Sequence, residues 1–537
     1  MNNYTGFLNV YKEKGMTSMA VCARIRRILH VTKVGHAGTL DPMAEGVLPV
    51  ALGRACKSVT EVGDGTKVYE AGMLLGTVTD TQDITGTVLS KTDEIPTEDE
   101  VRAAVSGFLG EYDQLTPMYS ARQVDGRRLY DIAREGGEIE RPRKKIEILS
   151  LEILSIDLPH VMFRVKCSKG TYVRTLCNDI GERLGCGACM ESLKRTAVGS
   201  FEVNDTLTFS DIERLYEEGS VDEALRVVAP TAVSIGKFDG THEGHQVLLR
   251  ELRKKAEKHK LRSLVLILDI PGKKIDDIEE RRERILSMGI DYCIVLKLTK
   301  ELMSMEAEDF LKTILKDKLN MHYLVGGKDV AIGKDRKGDA EFLKKNASKY
   351  SYSFKLIDKV SAHDEVISST LIRKALSEGN MEEVTELLGR SYFIKGPVVT
   401  GNNIGHSKLV ATANQDVSEN RELPPFGVYA SRITVYGKED KQLRNDLTAP
   451  KRNVETVYGV SNLGTKPTIT GGKEGVRPNL ETHIFDREVD LYDKEIKVEL
   501  LSFIRPETRF DSIDALKERI EKDICEAKKR LEKYTLL

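Results

Sequence analysis

The chain lacks the features that would direct it to a membrane or out of the cell. Its 537 residues contain no run of about 18 apolar side chains, and the opening MNNYTGFLNVYKEKG has no apolar core of a signal peptide. Its 8 cysteines are too few for a disulfide framework in a chain of this length. We therefore expect a cytoplasmic protein with no membrane partner.

An excess of charge of either sign is also missing. The 82 lysines and arginines are balanced by 84 aspartates and glutamates, which gives a net charge of −2. Overall charge therefore does not favour nucleic acid as a partner, and any RNA contact must come from local basic patches. Internal repeats and low-complexity tracts are absent as well, which argues against a repeat protein.

The chain is too long for one hydrophobic core, and domains of about 100–200 residues suggest three. Residues 1–212 mix alternating strand patterns with amphipathic helices, which predicts an α+β domain, and residues 213–229 form a polar helical connector. Residues 230–390 alternate strand and helix, as in an open, Rossmann-like α/β sheet. Residues 391–537 hold short strands separated by glycines and end in an amphipathic helix, which predicts a β-barrel with a C-terminal helix.

One carboxylate has an unusual setting. Asp41 lies in GHAGTLDPMAEGVLPV (residues 35–50), where most neighbours are small or aliphatic. It is either a turn residue before a proline or a nucleophile. Three other candidate residues follow it along the chain: Tyr69 in KVYEAGMLLG, Arg122 in TPMYSARQVDGRRLYDIAREG and Arg174 in CSKGTYVRTL.

These stretches, together with GFLNVYKEKGMTS and LKRTAVGSF, resemble the TruB-type tRNA pseudouridine synthases over about residues 4–228. The resemblance implies that residues 1–212 are a catalytic domain that converts the T-loop uridine of tRNA to pseudouridine, with the T-arm as partner and without a cofactor. Many members of the family end in a small RNA-binding domain of the PUA type, whereas this chain continues into other modules.

The resemblance also implies roles for single residues. Asp41 is the nucleophile, Arg174 keeps its carboxylate ionised in an apolar pocket, and Tyr69 stacks on the extruded base and has a hydroxyl available for late proton transfer. Four further residues are expected to contact RNA: His36, Lys169, Tyr172 and Leu193.

The second module opens with a strand, a glycine turn and a helix in IGKFDGTHEGH (Ile235–His245). No G-K-[ST] follows the glycines, so this is not a Walker loop. The imidazoles of His242 and His245 lie at a helix start, which suits the charge that develops on an α-phosphate during nucleotidyl transfer. Downstream, ISSTLIRKAL (Ile367–Leu376) supplies hydroxyls and Arg373, which suit β- and γ-phosphates.

This order of motifs resembles the adenylyltransferase half of prokaryotic bifunctional riboflavin kinase/FAD synthetases, which implies ATP and FMN as substrates for residues 230–390. Val330 and Ile332 replace two phenylalanines of the family, and LILDIPGKK replaces its Phe-x-Pro-His-Pro-like turn. The residues expected to bind the nucleotide are Gly236, Phe238, Asp239, Gly240, His242, Gly244, His245, Asp329, Ser368, Ser369, Thr370 and Arg373.

The third module resembles the kinase half of the same family through LETHIFDREVDLYDKEI and RPETRFDSIDALKERIEKD. The resemblance implies that residues 391–537 phosphorylate riboflavin with ATP and Mg²⁺. Glu481 falls on the catalytic base, and Thr412 and Asn414 fall on the metal-site pair. The family's phosphate loop appears as GHSKLVATAN (Gly405–Asn414), without its arginine, one glycine and the proline before Thr412.

Two interpretations of the flavin region follow. In the first, the chain fuses a pseudouridine synthase to a module that makes FAD from FMN and also FMN from riboflavin. In the alternative, residues 230–537 are a degenerate flavin-, nucleotide- or RNA-binding module without catalysis. The intact HxGH pair and Glu481 favour the enzyme, and the altered GHSKLVATAN loop favours degeneration.

Overall fold

The computed structural model of the chain describes residues 2–120, 122–124, 126–135, 137, 139–358, 361–362, 365–399, 413–436, 454–470, 473–485, 491, 494–508 and 511–535. The chain forms two compact units. The first comprises Met1–Thr231, Asp291–Lys297 and Glu308–His322, and the second comprises Ala232–Ile290, Leu298–Ala307 and Tyr323–Leu537. No helix in the described part of the chain combines the length and apolarity needed to cross a bilayer.

The first module contains a nine-stranded mixed sheet in the order β1-β3-β12-β4-β11-β10-β7, with β2 beside β3 and β13 beside β12. Its strands and those of two small hairpins are β1 (Gly6–Lys12), β2 (Val34–His36), β3 (Glu45–Leu52), β4 (Lys67–Leu75), β5 (Thr77–Thr79), β6 (Val88–Lys91), β7 (Gly110–Leu115), β8 (Gln123–Val124), β9 (Arg127–Arg128), β10 (Arg143–Asp157), β11 (His160–Cys167), β12 (Ala188–Val198) and β13 (Phe201–Glu202). Its helices are α1 (Ser18–Leu29), α2 (Val59–Gly63), α3 (Glu98–Ser106), α4 (Leu129–Arg134), α5 (Val173–Leu184), α6 (Phe209–Glu217) and α7 (Val221–Ala224).

The sequence explains these elements locally. β11 reads HVMFRVKC, in which alternate side chains are buried, as expected for a strand with one face on the core. α1, α3 and α6 each begin after a threonine whose hydroxyl accepts a backbone N–H of the first turn. α5 packs on β12 and contributes Leu176 and Ile180 to a core that also holds Tyr69 and Phe163. The predicted α+β domain is therefore confirmed.

The second module is built on a five-stranded sheet in the order β16-β15-β14-β17-β18, which is 3-2-1-4-5 in chain order. The elements of this module are β14 (Thr231–Gly236), β15 (Arg262–Asp269), β16 (Tyr292–Lys297), β17 (Met321–Gly327), β18 (Ser353–Ile357), β19 (Ser361–Ala362), β20 (Glu365–Val366), α8 (Glu243–Lys258), α9 (Ile278–Ser287), α10 (Lys300–Ser304), α11 (Ala307–Asp309), a π-helical segment (Phe310–Lys318), α12 (Ala340–Asn346), α13 (Ser369–Ser377) and α14 (Met381–Leu388). The strand order reverses between β14 and β17, and ligands bind at the carboxyl ends of strands beside such a reversal. Those ends are Gly236 and Gly327, which confirms the Rossmann-like fold class and locates its crevice.

The third module is a nearly closed, six-stranded antiparallel barrel in the order β21-β26-β23-β24-β25-β22. A bridge between Val399 and Asn414 brings its two edges together. Its elements are β21 (Phe393–Pro397), β22 (Ala413–Asp416), β23 (Gly427–Tyr436), β24 (Val454–Thr470), β25 (Lys473–Ile484), β26 (Glu495–Pro506) and α15 (Ile513–Thr535). α15 packs Ala527 and Leu531 against the barrel, as predicted for the C-terminal helix.

The second and third modules share one apolar core inside the second compact unit. A single buried cluster includes Ile275, Leu376 and Leu388 together with Tyr429 and Leu500 of the barrel. The predicted domain boundary at residue 390 therefore lies within a continuous core. The boundaries at 212, 229 and 390 stay predictions.

Candidate active sites

The loop that carries Asp41 connects β2 to β3, and the side chains of Lys12 and Ser18 bind its backbone. The buried Lys12 donates from Nζ to the carbonyl oxygen of Ala44 at 2.5 Å and to that of Pro42 at 3.3 Å. Burial lowers the pKa of Lys12 to about 8, against the opposing effect of the nearby Asp41 charge. The backbone of Leu40 is tied at both its N–H and its C=O to the hydroxyl of Ser18. The loop therefore presents Asp41 in a fixed position, with 38% of its side chain exposed.

A second buried cation, Arg195, links this loop to the central strands. Its guanidinium donates to the carbonyl oxygens of Gly38 at 3.0 Å and Val47 at 2.8 Å. Arg195 is the cross-strand partner of Tyr69 on β4. On its other side, Gly46 has φ +105°, and a Cβ there would lie 2.3 Å from the Arg195 carbonyl oxygen, so only glycine fits. Arg195 lies in the LKRTAVGSF motif, but no role was predicted for it from the sequence.

Arg174, in the first turn of α5, lies between two carboxylates. Its Nη2 is 3.3 Å from Asp41 Oδ2, and its Nη1 is 3.6 Å from Asp83 Oδ2. Nη2 also donates to the Tyr119 carbonyl oxygen at 2.7 Å, and the side chain is only 8% exposed. A planar guanidinium can face two carboxylates at once, so this position suits arginine better than lysine.

Asp83 was missed by sequence analysis. It is 4% exposed, and its Oδ1 accepts hydrogen bonds from the Thr81 hydroxyl at 3.0 Å, the Thr85 N–H at 3.0 Å and the Thr85 hydroxyl at 2.5 Å. These donors fix the carboxylate so that Oδ2 faces Arg174. The only signal in the sequence was the alternation of threonine and aspartate in TVTDTQDITG (residues 77–86).

Tyr69 lies in the core beneath the Asp41 loop, with 7% of its surface exposed. Burial raises the pKa of its hydroxyl to about 12, so the group stays protonated at neutral pH. It can therefore donate a hydrogen bond or a proton, but it does not supply a negative charge.

The residues expected to contact RNA occupy different environments. His36, on β2, is half-buried; burial and the Arg195 charge lower its pKa, and its Nδ1 has no hydrogen-bond partner among the described residues. Lys169 is exposed and pairs with Asp64 at 2.9 Å.

Tyr172 precedes α5, and its backbone N–H and C=O both bind the Gln114 amide, at 2.8 and 3.0 Å. Leu193 is buried in the core with 8% of its surface exposed, which is the environment of a structural side chain. Its predicted RNA contact stays a prediction.

The HxGH motif (His242–His245) forms the N-cap and the first residues of α8, which follows β14 at the crevice located above. His242 is the N-cap of α8, and its ring stacks on that of His245 with centroids 3.7 Å apart. Burial lowers the pKa of His242 to about 4, against the charge of Asp329, which follows the end of β17. Burial, together with the neighbouring His242 and Arg281, lowers the pKa of His245 well below its ordinary value. Both imidazoles are therefore neutral at pH 7, and each has a buried Nδ1 without a partner among the described residues.

Three glycines lie in or beside the turn between β14 and α8. Gly240 has φ +78°, and a Cβ at Gly244 would approach the His242 ring to 3.2 Å. Gly236 ends β14, where a Cβ would meet the ring of the buried Phe238 at 3.2 Å. These positions suit close packing of the turn.

Asp239 is engaged by arginines rather than exposed to a ligand. It is 5% exposed, and its Oδ1 accepts from the Ile275 N–H at 3.0 Å and from Arg281 Nη2 at 2.8 Å. Its Oδ2 pairs with Arg373 Nη2. The carboxylate of Asp239 thus contacts Arg373, and its predicted contact with the nucleotide stays a prediction.

The hydroxyls at the start of α13 are partly committed to the fold. Ser368 caps the helix by accepting from the Leu371 N–H at 3.3 Å, and Ser369 donates to the Asp239 carbonyl oxygen at 3.0 Å. Thr370 is exposed. Of the three predicted hydroxyls, only that of Thr370 has no hydrogen bond within the part of the chain that the structure describes.

The barrel brings Asn414 and Glu481 together as register partners of β22 and β25. Asn479, missed by sequence analysis, lies beside both: its Nδ2 is 3.2 Å from Asn414 Oδ1 and 3.5 Å from Glu481 Oε1. Asn479 is 4% exposed, and its Oδ1 has no hydrogen-bond partner among the described residues. Thr412, the other predicted metal ligand, lies outside the described residues.

Comparison with known proteins explains these three sites. Residues 26–173 match the family model "TruB family pseudouridylate synthase (N terminal domain)", and residues 174–269 match "tRNA pseudouridylate synthase B C-terminal domain". The chain is 48% identical over 245 residues to tRNA pseudouridine synthase B of Clostridium acetobutylicum, covering 43% of this chain and 85% of that protein. The chain belongs to the tRNA pseudouridine synthase B family.

A second relative supports this membership of the tRNA pseudouridine synthase B family. The protein of that name from Geobacter sulfurreducens is 48% identical over 221 residues, which cover 41% of this chain and 73% of the relative. A crystal structure of a macrolide-efflux protein from Streptococcus pneumoniae covers 56% of this chain and 94% of its own at 26% identity, but its TM-score of 0.45 is too low to carry an argument.

The rest of this tRNA pseudouridine synthase B family member matches two flavin-enzyme families. Residues 226–371 match "FAD synthetase", and residues 388–531 match "Riboflavin kinase". Both resemblances noted in the sequence are confirmed, and the enzyme interpretation is supported over the degenerate binding module. Domains of these two kinds use ATP and a divalent metal.

Proposed function

We propose that the chain converts the T-loop uridine of tRNA to pseudouridine at Asp41, makes FAD from FMN and ATP at His242, and makes FMN from riboflavin and ATP at Glu481. The proposal for the first activity rests above all on the placement of Arg174 between Asp41 and Asp83. A buried guanidinium at this place pairs with the attacking carboxylate and orients it.

The isomerisation needs no redox partner. The bond between the base nitrogen and the ribose breaks, the base turns, and a ring carbon bonds to the sugar instead. The proton lost from that carbon is balanced by the one that the freed nitrogen gains. Asp41 supplies the negative charge beside the sugar, and the protonated hydroxyl of Tyr69 supplies a group for the late proton transfer.

The test of the isomerase site is Asp41→Asn in the full chain, assayed on an unmodified T-arm stem-loop. Asparagine keeps the size of the side chain but removes the nucleophile, so pseudouridine formation should vanish while RNA binding persists. Substantial turnover by this variant would refute the assignment.

For FAD formation, a phosphate oxygen of FMN attacks the α-phosphorus of ATP, and pyrophosphate leaves. The neutral rings of His242 and His245 can each donate a hydrogen bond to the α-phosphate, and Arg373 is suited to the departing β- and γ-phosphates. The position of the HxGH turn at the strand-order reversal supports this role.

For FMN formation, Glu481 takes the proton of the terminal ribityl hydroxyl, the freed oxygen attacks the γ-phosphorus of ATP, and ADP leaves. The amide oxygens of Asn414 and Asn479 suit a magnesium ion, which prefers oxygen ligands, and Thr412 is the further ligand expected from the sequence. When bound, this ion neutralises charge on the phosphates.

We expect FMN to be converted to FAD more readily than riboflavin to FMN. The changes near His242 are mainly apolar and turn residues, whereas GHSKLVATAN has lost an arginine, a glycine and a proline of a phosphate loop. Loss of one donor from such a site costs about 3–4 kcal/mol.

The measurement is incubation of the full chain with ATP, magnesium and either FMN or riboflavin, with FAD and FMN quantified separately. His242→Ala should abolish FAD formation and leave FMN formation from riboflavin intact. Formation of neither product would favour the binding module instead.

A further inference from the structure

The two flavin modules are joined by an ion-pair cluster inside the second compact unit. Arg421, in the segment between β22 and β23, is 2% exposed at its side chain. Its Nη1 lies 2.9 Å from Glu280 Oε2 and 3.2 Å from Asp277 Oδ2 at the start of α9. Nη2 donates to the Phe393 carbonyl oxygen at 2.5 Å, and Nε donates to the Tyr392 hydroxyl at 3.1 Å. The segment that carries Arg421 is therefore fixed to both modules.

The next residue, Glu422, is held just as firmly. Its backbone N–H donates to the Lys274 carbonyl oxygen at 2.7 Å, and its carbonyl oxygen accepts from the Tyr392 hydroxyl at 2.7 Å. Its side-chain Oε2 accepts from Arg373 Nε at 3.2 Å. A carboxylate of the kinase-like module thus reaches the arginine that we assign to the phosphates of ATP in the other module.

Two of the three nitrogens of the Arg373 guanidinium bind groups of the protein. Nε is taken by Glu422, and Nη2 binds Asp239 Oδ2 and the Lys273 carbonyl oxygen at 3.4 Å. Within the described residues, Nη1 has no partner, and the side chain is 35% exposed. Asp239 is itself fixed by Arg281. The guanidinium is therefore clamped along two edges and keeps one pair of donors for an external anion.

We propose that Glu422 is a positioning residue for FMN adenylylation: it holds Arg373 so that the Nη1 donors meet the triphosphate of ATP. The inference rests on the proposed FAD synthetase function. A long arginine side chain loses rotamer freedom when it binds a phosphate. The contacts with Glu422 and Asp239 impose this loss on Arg373 before ATP binds. The nucleotidyltransferase site thus depends on a residue from the barrel module.

A carboxylate beside a phosphate-binding arginine could also do the opposite and compete with ATP. Three variants separate the two effects. Glu422→Ala removes both the charge and the acceptor, Glu422→Gln removes the charge but keeps an oxygen that can accept from Nε, and Glu422→Asp keeps the charge on a shorter arm. The matched control is Glu419→Ala, a 66%-exposed glutamate three residues earlier whose partner is Arg477.

The measurement is KM for ATP and kcat in FMN-to-FAD conversion by the full chain, with KM for ATP in riboflavin phosphorylation as an internal control. We expect the Ala and Asp variants to raise KM for ATP in FAD formation about tenfold with a smaller change in kcat, since a charge-assisted hydrogen bond is lost. Glu422→Gln and Glu419→Ala should stay within about twofold of the parent, and the kinase KM should not move.

Other outcomes decide against the proposal in distinct ways. A lower KM in both the Ala and Gln variants would show competition, and unchanged values in Ala and Asp would show that Glu422 has no part in ATP binding. Absence of FAD formation by the parent chain would overturn the proposed FAD synthetase function, and with it this inference. Should Glu422→Ala fail to fold, the Asp and Gln pair still separates positioning from competition.

Discussion

The isomerase site and the barrel site both centre on a carboxylate but surround it differently. Asp41 lies 3.3 Å from the buried guanidinium of Arg174, and two further buried cations, Lys12 and Arg195, bind carbonyl oxygens of its loop. Around Glu481 the described neighbours include neutral amides, with Asn479 Nδ2 at 3.5 Å. The first site carries positive charge within the fold, whereas the match of the second to riboflavin kinases implies the use of ATP and a divalent metal.

Chelation should separate the two sites most strongly. Excess EDTA should abolish FMN and FAD formation, because the phosphate chemistry depends on a divalent ion, and should leave isomerisation of a short T-arm stem-loop within about twofold. Both rates are measured on one preparation, and added magnesium should restore the flavin products. Isomerisation that fails with EDTA on this short RNA would break the comparison.

Arg174→Lys tests whether shape as well as charge matters at the first site. An ammonium cannot face Asp41 and Asp83 together as the guanidinium does, so we expect the isomerisation rate constant to fall about a hundredfold. Single-turnover assays at saturating stem-loop give this constant. Arg164→Lys, at an exposed surface arginine, is the matched control, and a parental rate in the Arg174 variant would exclude the proposed pairing.

Asp83→Asn refines the same point with a smaller expected effect. The amide oxygen can still accept from Thr85, but the charge that faces Arg174 Nη1 is lost, so the rate constant should fall about tenfold with RNA affinity unchanged. Asp80→Asn, at an exposed aspartate of the same turn, serves as the control. A loss of RNA affinity without a loss of rate would assign Asp83 to the RNA surface instead.

These residues show how far the sequence could lead. The roles of Asp41 and Arg174 were predicted because each residue lies in a long motif. The three fold classes were predicted from patterns that repeat along many residues. No role was predicted for Asp83, Arg195 or Lys12, because their contacts form only when distant segments meet in the folded sheet. A sequence pattern shows neither that Lys12 is buried nor which carbonyls it faces.

The flavin modules show the same limit. The sequence predicted Arg373 and Asp239 as separate ligands of a nucleotide, whereas the fold pairs them with each other. Asn479 gave no signal, since an asparagine two residues before a glutamate is common on any strand face. Glu422 lies in a connecting segment, and only the packing of two modules brings it to Arg373.

The smallest expected effect concerns the stacked histidines. The pKa of His242 is about 4 in the fold against 6.5 in an unfolded chain, so the unfolded chain takes up protons first as the pH falls. The contribution of this neutral ring to stability is therefore complete above pH 6.5 and is lost as the pH falls to about 4.

Side-chain NMR of carbon-13-labelled histidines tests this directly. Of the 10 histidines, we expect the signals of His242 and His245 to remain those of neutral imidazole from pH 8 to about 5. The signal missing in His242→Gln identifies that of His242, and the signal missing in His245→Gln identifies that of His245. Titration of His242 near pH 6.5 would show that its ring is open to solvent, unlike the arrangement described here.

The apolar cluster that spans residue 390 determines where the chain can be truncated or recombined without exposing its core. Ile275, Leu376 and Leu388 would each lose barrel neighbours such as Tyr429 and Leu500 if the two flavin modules were expressed apart. Each fragment would expose an apolar patch that is buried in the full chain, and it would tend to aggregate. For truncation, and for recombination between genes, the two flavin modules should therefore be kept together.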